Sequence, residues 1–272
     1  MIRLVQTNYL VSIPSRFDSL DWQKVMFVRV LGQIQIEGKG NVRSIGWRKE
    51  GALLAALIIS AGKVVLADVL LDQLWGQTGT VGALHTCVSR LRDQMASVAG
   101  PGASRMLTTT PGGYRITLPP RSTDAARFES LLSDSYRLDP HDAAETLEEA
   151  LAYWRGPAYA DFTYDDWALG EIRRLEELRL VALARRNDAL MKQGRHGEVV
   201  AGLEALVTEH PLREELWKQL MHALYCSDRQ ADAVRCFARY SLLLTEEGLE
   251  PSLKIREMKE RILRGEPCPA IG

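Results

Sequence analysis

Five side chains with cationic or hydrogen-bonding tips, His85, Thr86, Ser89, Arg90 and Arg92, fall close together in one short stretch. An arginine can fork onto a guanine edge, hydroxyls can meet neighbouring bases, and a cation can neutralise a phosphate. Such groups act together only if they share a face. In TVGALHTCVSRLRDQMASVA, Thr80–Ala99, the apolar residues Val81, Leu84, Val88, Leu91 and Met95 recur in steps of three and four. That spacing predicts a helix with one buried stripe. At about 100° per residue, the opposite face then carries Gly82, Thr86, Ser89, Arg90 and Asp93, with His85 and Arg92 on one flank. Arg90 is the candidate for a base edge, Thr86 and Ser89 for adjacent bases, and His85 for a base or a phosphate. A surface helix with solvated charges has the same pattern, so the flanking elements must decide.

Downstream, RMLTTT and YRITL are strand-like runs on either side of Pro111-Gly112-Gly113, which predicts a β-hairpin. Arg105 and Arg115 flank it, and Thr108, Thr109 and Thr110 offer hydroxyls to phosphates or sugars. Arg92, Arg105, Arg115 and Arg48 are the candidates for phosphate neutralisation. Upstream, VMFVRVLG and QIQIEG are short β-rich runs, the second with Ile34 and Ile36 on one face, and residues 41–46 can supply a third strand. Arg48–Gly62 reads as a helix with Leu53, Leu54, Leu57, Ile58 and Ala61 inward. After the extended Val64 and Val65, Leu66–Gly76 reads as a second helix with Val69, Leu70 and Leu74 inward. Sheet, three helices and hairpin is the order of a winged helix, whose third helix enters the major groove.

The segments LLAALIISAGKVV, LLDQLWG, LHTCVSRLR and TTTPGGYRITL resemble the response-regulator type winged helix of the Streptomyces antibiotic regulatory proteins. The most specific matches are Trp75-Gly76, Val88-Ser89-Arg90-Leu91-Arg92 and Gly113-Tyr114-Arg115. The resemblance covers roughly residues 25–118 and continues into a bacterial transcriptional activator domain. It implies a transcriptional activator of a secondary-metabolite (antibiotic) cluster that binds direct repeats near promoters head to tail, as a homodimer on DNA, and that contacts RNA polymerase. Two departures stand out. Thr110 occupies the wing position where these proteins often carry a minor-groove arginine, and Ser89 stands where a second arginine is common. Only residues 1–24, an arm with no assigned function, precede the fold, so no receiver domain is expected, nor an appended ATPase module.

The formal net charge of −1 conceals an asymmetry. Residues 25–120 hold 10 Lys and Arg against 5 Asp and Glu, whereas residues 124–272 hold 20 against 28. A basic half beside an acidic one suits nucleic acid on one side and a different partner on the other. After a linker at Pro119–Thr123, residues 124–264 show only amphipathic helical patterns. Ala189 and Ala223, Leu190 and Leu224, Glu198 and Asp232, Val200 and Val234, and Leu203 and Phe237 repeat at 34 residues, the tetratricopeptide period. The expected fold is therefore an α+β winged helix followed by an all-α tetratricopeptide-like array. Arg155–Trp167 is a non-helical aromatic insertion, read either as a partner surface or, in preference, as a loop packing Tyr159, Phe162 and Trp167 over the first helices. It carries the activator-domain pattern at Trp154, Gly156, Tyr159 and Asp161.

Cys87, Cys226, Cys236 and Cys268 lack C-x-x-C spacing and are read as free thiols, with no metal site. His141, His196, His210 and His222 are read as caps or surface residues. No apolar run suits a membrane span, the start lacks a signal peptide's charged-then-apolar layout, and a cytoplasmic protein without a cofactor is expected. Phosphate-binding loops and nucleophile or zinc-protease motifs are missing, which argues against an enzyme. The competing reading is a helical-repeat scaffold whose winged helix serves protein contact.

Overall fold

The computed structural model describes residues 26–45, 49–60 and 62–268. The chain divides into two compact units between Thr123 and Asp124.

The first unit begins with an antiparallel sheet of β1 (Phe27–Arg29), β2 (Gln35–Gly38) and β3 (Asn41–Ser44), in that order. Alternation along β2 turns Ile34 and Ile36 into the core, where both are fully buried. Three helices follow: α1 (Lys49–Ile59), α2 (Ala67–Trp75) and α3 (Val81–Ala99). Leu53, Leu54 and Leu57 of α1 meet Leu84, Val88, Leu91 and Met95 of α3 in one apolar core. Full burial of each such side chain contributes about 1.5–3 kcal/mol. A short helix, α4 (Pro101–Ser104), leads into the hairpin of β5 (Leu107–Thr110) and β6 (Gly113–Ile116).

Between α1 and α2, β4 (Val65–Leu66) pairs with β6, giving a second sheet ordered β4-β6-β5. The extended link expected at Val64 and Val65 is thus a strand one residue later, and Leu66 belongs to it rather than to the helix. Glycine is required at position 113, because a Cβ there would lie 2.1 Å from the carbonyl oxygen of Val65. Two residues expected inward lie outward: Val69 is 41% exposed and Val81 is 52% exposed. Leu70 and Leu74 suffice to seat the nine-residue α2, and Val81 occupies the first turn of α3, beyond the core. The short linker at residues 119–123 is tied to β1, since Val28 N–H donates to the Ser122 carbonyl at 2.9 Å and Val28 bridges Thr123 in parallel. Arg48 and Ala61, and the arm up to residue 24, lie outside the described residues.

The second unit is helical: α5 (Asp124–Asp134), α6 (Pro140–Ala152), α7 (Asp166–Lys192), α8 (His196–Glu209), α9 (Glu214–Tyr225), α10 (Gln230–Glu246) and α11 (Leu253–Leu263). The 34-residue repeat extends to individual hydrogen bonds. Arg195 N–H donates to Leu190 O at 3.0 Å, and Arg229 N–H donates to Leu224 O at 3.0 Å. Arg195 pairs with Glu198 in one turn, and Arg229 with Asp232 in the other. Both turns need a left-handed residue, Gly194 (φ 79°) in the first and Asp228 (φ 60°) in the second. Ala189, Ala223, Leu190 and Leu224 are all buried between the paired helices. Tyr159 and Phe162 of the aromatic insertion are buried as well, with the Phe162 ring 5.4 Å from that of Trp167, but the segment is not wholly non-helical: Ala160–Phe162 form a 3-10 turn and Trp167 already belongs to α7.

The cysteines and histidines depart from expectation. Cys226 and Cys268 are joined in a disulfide, and only Cys87 and Cys236 remain as buried free thiols. His222 is 7% exposed and its ring centroid stands 5.6 Å from that of His196. The helix turn places His222 beside Cys226, four residues on, and folding brings His196 and Cys268 to them from distant sequence. No helix among the described residues is long and apolar enough to cross a membrane.

Candidate nucleic-acid interface

Helix α3 starts where Thr80, in extended geometry, accepts a hydrogen bond from Ala83 N–H at 3.2 Å. A hydroxyl cap of this type contributes about 1 kcal/mol and fixes the register of the first turn. With Leu84, Cys87, Val88 and Leu91 buried beneath, the outer face presents Gly82, His85, Thr86, Ser89 and Arg90, all exposed. Asp93 is exposed on the same side. The Thr86 hydroxyl donates to Gly82 O at 2.9 Å, which leaves its oxygen lone pairs outward as acceptors. Beneath this face burial pushes the Cys87 thiol up to about 12, with nearby Glu50 adding to the effect, so that sulfur stays protonated and inert.

Arg90 projects outward with its side chain 69% exposed, and its guanidinium lies 3.8 Å from a Glu50 carboxylate that is itself almost covered. Glu50 sits in the first turn of α1, where the helix dipole favours an anion. The pair leaves most of the arginine's donors to solvent. Sequence reasoning missed Glu50, because nothing in the local pattern of α1 distinguishes a buried acid facing a residue 40 positions away.

Arg92 is used differently from the expectation. Its Nε and Nη2 donate to Leu107 O at 3.1 and 2.9 Å, and Nη2 also donates to Thr109 Oγ1 at 3.0 Å. The side chain therefore couples α3 to the wing. The hydroxyl of Thr110 is buried with no hydrogen-bond partner, so it is not offered to a backbone. Thr108 donates its hydroxyl to Arg115 O at 3.2 Å, across the register pair that joins the two strands. Arg115 and Arg105 are exposed, one on β6 and one just before β5. His85, Thr86, Ser89 and Arg90 thus share the exposed face of α3, while Arg115 is exposed separately on β6. Arg92 is engaged with the wing through Nε and Nη2, and the Thr110 hydroxyl is buried.

Residues 46–116 match the family model described as transcriptional regulatory protein, C terminal, and residues 123–263 match the bacterial transcriptional activator domain. The chain is 33% identical over 249 residues to the transcriptional regulatory protein EmbR of Mycobacterium tuberculosis, covering 89% of this chain but 64% of that protein. It is 33% identical over 256 residues to the regulatory protein DnrI of Streptomyces peucetius, covering 89% of this chain and 93% of the relative. The solved structure of Mycobacterium tuberculosis EmbR in complex with a low affinity phosphopeptide superposes with a TM-score of 0.83 at 33% identity, over 91% of this chain and 67% of that one. With the winged helix, the helical repeat and relatives of this kind in hand, the chain belongs to the Streptomyces antibiotic regulatory protein family of transcriptional regulators.

Proposed function

We propose that the protein is a sequence-specific DNA-binding transcriptional activator of a secondary-metabolite (antibiotic) gene cluster. It acts in the cytoplasm, without enzymatic activity of its own. The single observation that carries this reading is the outward face of α3, where Thr86, Ser89 and Arg90 stand exposed over a buried apolar stripe. Small and hydroxylic neighbours let the helix approach a major groove closely, and a forked guanidinium at its centre can read a guanine. Exposed Arg115 and Arg105 supply the adjacent phosphate contacts. One such face is modest in charge, which favours two protomers head to tail on direct repeats near a promoter, forming a homodimer on DNA. The acidic helical unit is then the surface that meets RNA polymerase.

Footprinting on DNA upstream of the protein's own gene neighbourhood tests the proposal. The expected result is protection of two direct repeats whose centres lie a whole number of helical turns apart, about 10–10.5 base pairs each. Binding should weaken steeply with added salt. A chain that protects no sequence, and that elutes from heparin at low salt, would be a helical-repeat scaffold instead.

A further inference from the structure

Four side chains with metal-ligating atoms converge at the closed end of the repeat array, remote in kind from the DNA-reading chemistry. His196 opens α8, His222 and Cys226 lie one turn apart at the end of α9, and Cys268 follows α11. Their ligand atoms all lie within 4.8 Å of one another. The Cys226 sulfur is 3.6 Å from His222 Nε2. Tetrahedral zinc, with bonds of about 2.3 Å to sulfur and 2.0–2.1 Å to nitrogen, places its ligand atoms roughly 3.3–3.8 Å apart. Small side-chain rotations therefore suffice to gather all four donors on one centre.

The tail is built to reach this place. Tyr225 Oη donates to Glu266 O, Gln230 Nε2 donates to Ile262 O at 2.6 Å, and Glu266 pairs with Arg261 and Arg264. These contacts hold Cys268 over the end of α9. The pairing of the two sulfurs shows that the backbone already sits at bridging distance, with Cα atoms 5.4 Å apart. A disulfide alone uses only the sulfurs and gives no reason for two imidazoles beside them. A protein acting on DNA in a reducing compartment keeps such thiols reduced, and there thiolates grouped with imidazoles characteristically hold metal.

We propose that His196, His222, Cys226 and Cys268 of the reduced chain form a closed four-coordinate site for a divalent transition metal, zinc foremost. Two thiolates and two neutral imidazoles match the preference of zinc for sulfur and nitrogen in structural sites. Binding releases the two thiol protons, forms two metal–sulfur and two metal–nitrogen bonds, and transfers no electrons. The ion would staple the start of α8, the end of α9 and the C-terminal tail, closing the last repeat.

The test is a titration of the full chain, reduced with a phosphine, using Co²⁺ as a visible probe. The expected result is a thiolate-to-cobalt charge-transfer band with intense tetrahedral bands, saturating at one ion per chain and displaced by Zn²⁺. Cys268→Ser, whose residue lies in an exposed tail, should keep the fold by circular dichroism yet weaken binding by more than about 100-fold. His222→Gln should remove the tetrahedral signature, and Cys236→Ser should leave the titration unchanged. A reduced wild-type chain with no cobalt–thiolate band would overturn the proposal and leave a structural disulfide only. A band equally strong in Cys268→Ser would overturn it too.

Discussion

The guanidinium of Arg92 and the carbonyl oxygen of Leu107 are joined by two hydrogen bonds, at 3.1 and 2.9 Å. The same guanidinium reaches Thr109 Oγ1, two residues further along β5. A residue on α3 that the sequence marks as a phosphate contact is thereby the brace between helix and wing. Arg92→Ala should destabilise the first unit by about 1–3 kcal/mol, the range for charge-assisted hydrogen bonds. It should weaken DNA binding while leaving the dependence of log K on log salt unchanged. Thermal melts and binding at several salt concentrations check both outcomes.

Arg115 is the contrasting case. It is exposed on β6 with its backbone held by the hairpin register. Arg115→Ala should weaken binding to all sequences alike and lower the salt slope by about 1. The pair of slopes, for Arg92→Ala and Arg115→Ala, separates a bracing arginine from a phosphate-neutralising one.

The buried, unpartnered hydroxyl of Thr110 predicts a gain from its removal. Thr110→Val keeps the shape and deletes the unsatisfied group, so the winged helix should gain about 1 kcal/mol. DNA affinity should stay within a factor of two, as measured by titration with a labelled duplex, if this residue supports the wing and touches no phosphate.

Much of the fold was legible in sequence because its signals are local. The stripe Leu84–Val88–Leu91–Met95, the Pro111-Gly112-Gly113 turn and the 34-residue spacing of Ala189 and Ala223 each announce an element without reference to anything distant. What was missed depends on contacts far apart in sequence. The Arg92 brace spans 15 residues, the Glu50–Arg90 pair joins two helices, and His196 meets Cys268 only after three further helices have folded. Periodicity also overstated burial at helix ends: Val69 and Val81 fit the stripe but lie past the edge of the core. The tie of the proline-rich linker to Val28 was missed, because a single strand-like bridge leaves no pattern in sequence.

Asp188 predicts a pH dependence in the helical unit. Burial raises its carboxyl above the ordinary value, although Gln219 Nε2 donates to it at 2.5 Å. A carboxyl with a raised folded pKa favours the fold while protonated, and that contribution is lost as pH rises through the folded value. Asp188→Asn removes the burdened charge and keeps an oxygen acceptor for Gln219. Its melting temperature should exceed that of wild type at neutral pH. The gain should vanish below the ordinary carboxylate range, where wild type is also protonated.

The central claim is that Arg90, paired with Glu50, reads a base from the exposed face of α3. Its most direct test is the affinity of wild type and Arg90→Ala for a footprinted operator and for each single-base variant of it. The account predicts a loss of about 1–3 kcal/mol on the operator, with discrimination collapsing at one guanine position and persisting elsewhere. An equal loss on every variant, with the full pattern of preference intact, would contradict it.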